Sequence, residues 1–218
     1  MAATLFYLVR NEAALRKVTE EVRSKFSDAE EIVQGAGLAS CTYLRACIDE
    51  AMRLSPSVGG ILPREVLAGG ITIDGHHIPE GTVVGVPHYT IHHNADYYPA
   101  PFDFIPERWV QGASANLGGK GVAATTITTD DVARAQSAFC PFSVGPRGCI
   151  GKGLAYHEMT TTLARTIYLY DMRRAVGVKD PGEGSRDLEW GRHRESEYQL
   201  IDTFTSARDG PMVEFRKA

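Results

Sequence analysis

Three observations predict an α+β fold, mainly helical, with small antiparallel β-hairpins. Apolar residues recur at helical spacing in three stretches, through Leu15, Val18, Val22 and Phe26, then Tyr43, Cys47 and Leu54, then Leu154, Met159, Leu163 and Ile167. Between and after them, short alternating runs are broken by turn dipeptides, which is the pattern of hairpins. The chain has 218 residues, 43% of them apolar, enough for one domain with a substantial core and unlike disordered or collagen-like compositions.

The elements follow in chain order. Leu5 to Val9 read as the buried end of a preceding helix, and the charged, amphipathic stretch with Leu15, Val18, Val22 and Phe26 as the helix after it. No turn or cap precedes Ala2, so this apolar start reads as the tail of a longer helix. The next helix, "SCTYLRACIDEAMRLSP", opens after a serine and stops at Pro56. "GITIDGHHIPEGTVVGVP" alternates around Asp74-Gly75 and Glu80-Gly81, giving short strands joined by tight turns. A helical "HYTIHHNADYY" then yields to "PAPFDFIPERW", whose three prolines predict an extended meander. Residues 112–135, rich in Gly, Ala and Thr, are expected to be a surface insertion with little chemical content and high mobility. A helix after Gly151 and a closing hairpin, "YQLIDTFTSARDGPMVEF", complete the chain. No internal repeat is visible.

Several function classes are excluded or disfavoured by composition. Lys and Arg total 23 against 27 acidic residues, which provides no electrostatic reason for a nucleic-acid partner or an anionic membrane surface. The four cysteines, Cys41, Cys47, Cys140 and Cys149, fit neither paired zinc-ligand spacing nor a dense disulfide framework, so a reducing compartment is expected. The longest apolar run, "AATLFYLV", is too short to span a bilayer and lacks signal-peptide flanks.

Two clusters carry chemistry. Glu50 and Arg53, in "EAMR", are three apart and share a helical face. Such pairs are commonly solvated surface contacts. This glutamate, however, lies on the apolar stripe, where it needs bidentate arginine partners, and Arg108 in "FIPERW" is a second candidate. The other cluster is "FCPFSVGPRGCIGKGLA", from Phe139 to Ala155. A lone Cys149 would ordinarily be an inert buried thiol, but here it immediately precedes a helix, whose free N–H groups and dipole favour a thiolate. Gly145, Gly148 and Gly151 permit positive φ and leave the backbone bare toward a flat partner, and Arg147 offers a planar fork to a carboxylate. Thiolate, bare glycines and arginine together describe a seat for iron porphyrin.

"FSVGPRGCIG" matches the FxxGxRxCxG signature at Phe142, Gly145, Arg147, Cys149 and Gly151, and with "EAMR" and "PERW" it resembles the cytochrome P-450 superfamily, closest to its eukaryotic microsomal and fungal members. The resemblance covers essentially the whole chain and implies the C-terminal part of the cytochrome P-450 fold, truncated at the N-terminus, with residues 1–218 as a single partial domain. It implies haem b (iron protoporphyrin IX) as cofactor, Cys149 as the axial ligand of its iron, Arg147 on a propionate, and Arg64 in "LPREV" on a propionate as well. Glu50, Arg53 and Arg108 become the structural triad beneath the haem. Axial sulfur pushes electron density toward iron and favours O–O cleavage. The implied reaction inserts one oxygen atom from O2 into a small apolar organic substrate, with electrons from NADPH delivered indirectly through an NAD(P)H-dependent cytochrome reductase. Segments Ser57–Leu62 and Thr203–Ser206 would line the substrate side.

The family also carries an (A/G)Gx(D/E)T segment, whose acid and alcohol manage protons, and a membrane anchor. Matching "LFYLVRN" to the end of the central helix puts the first a few residues before Met1, so both are expected to lie outside this chain. The full-length family implies the cytosolic face of the endoplasmic reticulum membrane; the chain alone, without an anchor, is expected in the cytoplasm. One alternative is a truncated, non-catalytic relic or haem-binding module. Another is a metal site at His88 and His92, four apart on one helical face, although no third ligand stands at a suitable offset and surface histidines are the commoner explanation.

Overall fold

As the patterning predicts, the chain opens with two successive helices, α1 (Ala2–Leu8) and α2 (Glu12–Lys25), in a computed structural model that describes residues 1–118 and 121–218. Asn11 separates them: its side-chain oxygen accepts from the Ala14 N–H at 3.1 Å, which satisfies a donor that the first turn of α2 leaves unpaired. A short α3 (Ala36–Ala39) leads into α4 (Thr42–Leu54). The expected serine cap of α4 is not used, because the Ser40 hydroxyl donates backward to the Gly37 carbonyl. Glu21 of α2 caps α4 instead, accepting from the N–H groups of Tyr43 at 2.9 Å and Leu44 at 2.8 Å. A carboxylate at this position also complements the positive end of the helix dipole.

Next come β1 (Arg64–Glu65), β2 (Ile71–Ile73), β3 (His76–Ile78) and β4 (Val83–Val84), β1 pairing with β4 around the β2–β3 hairpin. Asp74 and Gly75 both have positive φ, 48° and 78°, as a two-residue hairpin turn of this hand requires. The helical reading of "HYTIHHNADYY" shrinks to α5 (His88–His92). "PERW" is not extended: Pro106–Trp109 form a 3₁₀ turn. Proline at its first position needs no N–H partner there and has φ preset for helical turns.

The expected insertion, residues 112–135, lies partly outside the described residues (119 and 120), and its described part contains more order than its composition suggests. β5 (Ser114–Ala115) pairs with β6 (Thr125–Thr126), and α6 (Thr129–Ser137) begins within the stretch. The overlooked signal is a capping box, Thr128 and Asp131 each bonding the other's backbone N–H. Ala135 is buried beneath Tyr98, whose hydroxyl donates to its carbonyl at 2.8 Å.

The last elements are α7 (Lys152–Leu169), β7 (Tyr170–Arg174), β8 (Ile201–Thr203), β9 (Thr205–Ala207) and β10 (Val213–Lys217). The closing hairpin is shorter than its alternation implies, since only β8 and β9 form it. β10 pairs with β7, from Tyr170 opposite Lys217 to Arg174 opposite Val213. Alternation identifies strands but not their partners. Leu163 and Ile167 of α7 pack with Val18 and Val22 of α2 and Leu44 and Ile48 of α4 in the main core. Phe6 and Tyr7 of α1 meet Leu54 and Tyr198 in a second cluster. Among the described residues, no helix is long and apolar enough to cross a membrane. The result is the mixed helix and small-hairpin architecture that the patterning predicts.

Candidate functional site at the cysteine loop

The buried stripe of α4 places Glu50 and Arg53 in the interior, both fully buried. Their side chains meet in a bidentate pair, Arg53 Nε to Glu50 Oε2 and Nη2 to Oε1, both at 2.9 Å. The 3₁₀ turn brings Arg108 Nε to Oε1 at 3.0 Å, and Trp109 Nε1 donates to Oε2 at 3.0 Å. The Ile105 N–H makes a fifth bond to this carboxylate at 3.0 Å. The two guanidiniums spend their remaining donors on main-chain carbonyls: Arg53 on His92, Pro101 and Asp103, Arg108 on Pro99 and Ala100. Burial alone would raise the Glu50 carboxyl, but Arg108 and Arg53 hold it down to about 2. The structure thus brings Glu50, Arg53 and Arg108 into one network that fastens the meander of residues 99–109 onto α4.

Phe139 and Cys140, which begin the cysteine loop, rest on this network. The Phe139 ring packs against those of Trp109 and His92, with centroids 4.7 and 5.5 Å apart. The Cys140 N–H donates to His92 Nε2 at 3.0 Å. Sequence reasoning missed both anchors. His88 and His92 are not surface residues, as expected, but 5% and 0% exposed, because α5 packs inward against α4. Among the described residues there is no cluster of three or more metal-type ligands.

From there the chain folds back on itself. Ser143 N–H donates to the Cys140 carbonyl and Cys149 N–H to that of Phe142, each at 2.9 Å, and Gly145–Arg147 form a 3₁₀ turn. The three glycines play different roles. Only Gly145 has positive φ, 74°; Gly148 and Gly151 adopt φ of −60° and −80°, which other residues also adopt, but at Gly148 an added Cβ would press to 3.1 Å from the Gly145 carbonyl oxygen. At Gly151 the relevant fact is proximity, since an added Cβ would lie 3.7 Å from Cys149 Sγ. Phe142 packs against Tyr156 of α7, with centroids 5.3 Å apart. Cys149 lies two residues before Gly151, the N-cap of α7.

The loop's outward face suits a flat, apolar, anionic-edged ligand. Cys41 and Cys47 are buried, whereas Cys149 is exposed. Around it in sequence Val144, Ile150 and Leu154 expose 74%, 104% and 63% of their surface. Arg147 is exposed and makes no ion pair or hydrogen bond among the described residues. No heavy atom lies within 4 Å of a Cβ built on Gly145. An exposed cysteine, an uncommitted guanidinium and exposed apolar side chains nearby in sequence fit the donor set that iron porphyrin uses. Arg64 is also exposed, on β1, and its guanidinium donates to the carbonyls of Leu62 and Pro63 rather than to the cysteine loop.

The two segments expected to line the substrate side are joined to each other. Ser206 N–H donates to the Ser57 carbonyl at 2.6 Å, and Arg208 Nη2 donates to those of Ser55 and Pro56 at 2.7 Å.

The profile of the Cytochrome P-450 family matches residues 1–191. The chain is 46% identical over 219 aligned residues to "Cytochrome P-450 monooxygenase AKT7" of Alternaria alternata, covering 100% of this chain and 40% of that protein. It is 42% identical to "Cytochrome P-450 monooxygenase apf8" of Gibberella fujikuroi, covering 99% of this chain and 54% of that protein. A "Cytochrome P-450 monooxygenase" of Gibberella zeae is 43% identical over 100% of this chain and 46% of its own length. The chain therefore spans about half the length of the curated relatives it matches, in their C-terminal portion.

Proposed function

Because the chain belongs to the cytochrome P-450 family, we propose that it forms the thiolate-bearing part of a monooxygenase that inserts one oxygen atom from O2 into a small apolar organic substrate. One observation carries the proposal: Cys149 is presented to the outside on a loop bolted to a buried ion network, with Arg147 uncommitted beside it. Haem b, when bound, would supply activation of dioxygen, which a thiolate ligand would promote by donating electron density.

This chain's residues would bind and orient that group. Cys149 would hold the iron, its sulfur kept in place by the Cys149 N–H bond to Phe142 and by the turn at Gly145. Arg147 would bind a propionate, with Arg64 as a further contact once its side chain turns from the Leu62 and Pro63 carbonyls. Phe142, Gly145 and Gly151 would form the bed of the loop. Glu50, Arg53 and Arg108 would serve as the structural triad, fixing the loop's base without touching reacting atoms. The joined segments at Ser57–Leu62 and Thr203–Ser206 would line the substrate pocket. In the whole protein, NADPH would supply electrons through an NAD(P)H-dependent reductase, at the cytosolic face of the endoplasmic reticulum membrane.

The test is spectroscopic. The chain reconstituted with haem, reduced and exposed to carbon monoxide, should give the strongly red-shifted Soret band of thiolate ligation. Cys149→Ser should abolish that band. An identical spectrum from the variant would remove Cys149 as the ligand.

A further inference from the structure

His92 belongs to none of the groups assigned to the haem seat, yet it touches both the ion network and the cysteine loop. It is the last residue of α5 and is fully buried. Its carbonyl accepts from Arg53 Nη1 at 2.8 Å. Its ring Nε2 accepts from the Cys140 N–H at 3.0 Å, with the Cys140 sulfur 3.7 Å from the same nitrogen. One residue thus stands between the Glu50–Arg53 pair and the start of the segment that presents Cys149.

The geometry dictates the ring's protonation. A nitrogen facing an amide donor must offer its lone pair, so the proton of the neutral ring sits on Nδ1. Nδ1 is buried and meets no partner among the described residues. An unpaired polar atom in the interior calls for an explanation, and here the explanation is the acceptor it leaves at Nε2. A second proton would convert Nε2 from acceptor to donor and set it against the Cys140 N–H.

The surroundings oppose that second proton. His88 is one turn back on α5, 6.1 Å between ring centroids, and His93 follows directly. The Arg53 guanidinium comes from α4 with its Glu50 partner, the Tyr98 ring meets the imidazole edge-on, and the Cys140 thiol lies across from it. Burial, then the positive side of His88 and Arg53, lower the imidazole to about 3.

We infer that His92 is a positioning residue: an acceptor that holds the Cys140 amide, and with it the register of the cysteine loop, on the buried Glu50–Arg53–Arg108 network. Its effect on iron ligation rests on the reading of Cys149 as haem ligand; its effect on the loop does not. Two substitutions separate the role from mere filling of space. His92→Gln carries an amide oxygen to about the position of Nε2, and His92→Leu fills similar volume with no acceptor.

Nuclear magnetic resonance of the haem-free chain should find His92 as the Nδ1–H tautomer, neutral from pH 8 down to about 4. Exchange of the Cys140 amide with solvent should accelerate about tenfold or more in His92→Leu and return close to wild type in His92→Gln. With haem and carbon monoxide, the red-shifted Soret band should weaken in His92→Leu and recover in His92→Gln. The inference is overturned by an Nε2–H tautomer, by titration near the ordinary 6.5, or by equal amide exchange in the two variants. Should His92→Leu fail to fold, the wild-type tautomer and the His92→Gln exchange still decide. Should wild type show no thiolate band, the reading of Cys149 fails, while the haem-free measurements still judge His92.

Discussion

Glu50→Ala removes the acceptor shared by five donors, Arg53 Nε and Nη2, Arg108 Nε, Trp109 Nε1 and the Ile105 N–H. It strands two guanidiniums whose side chains are at most 3% exposed. A carboxyl that titrates near 4.5 in isolation and at about 2 in the fold contributes about 3 kcal/mol to folding when ionised, at about 1.4 kcal/mol per tenfold. Breaking a buried ion pair from one side costs about 3 to 5 kcal/mol by an independent route. Set against a total stability of about 5 to 15 kcal/mol, such a loss leaves the variant marginal or unfolded.

Urea unfolding followed by far-ultraviolet circular dichroism measures the loss, and tryptophan emission adds a local probe, since Trp109 bonds Glu50 directly. The pH dependence has a definite sign. Because the folded carboxyl titrates below the unfolded one, its contribution is complete above about pH 4.5 and disappears as pH falls through about 2. The gap between wild type and Glu50→Ala should therefore shrink by about 3 kcal/mol over that window. A variant within about 1 kcal/mol of wild type at pH 7, or a gap that does not change with pH, would refute the reasoning.

Two further substitutions test other joints. Glu21→Ala strips α4 of the carboxylate that caps Tyr43 and Leu44, and should cost about 1 to 2 kcal/mol in urea unfolding; an unchanged midpoint would mean that water replaces it. Gly145→Ala meets no heavy atom within 4 Å but imposes a side chain on φ of 74°, so its cost should be purely conformational, about 1 kcal/mol, read from the same unfolding curves and from weaker haem retention.

The sequence by itself determined α2, α4, α7 and the β2–β3 turn, because these depend on local patterns. Helical spacing put Glu50 on the buried stripe of α4, and charge placed there had to find arginines. The signature through Phe142 to Gly151 singles out Cys149, which the fold leaves exposed while Cys41 and Cys47 are buried. Other local signals were present and unread, above all the Thr128–Asp131 capping box that starts α6.

Only the tertiary structure decided what depended on partners distant in the chain. Glu21 caps α4 in place of Ser40, β10 leaves the closing hairpin for β7, and Trp109 joins Arg108 on Glu50. His92 is the clearest case. Its spacing from His88 reads as a pair of surface histidines, with a metal site only as an alternative, yet the packing of α5 against α4 removes both rings from water and aims one nitrogen at the Cys140 amide, 48 residues away. A sequence pattern records which faces are apolar, but a buried polar group takes its role from the donor that meets it, and that meeting is fixed by how the elements pack.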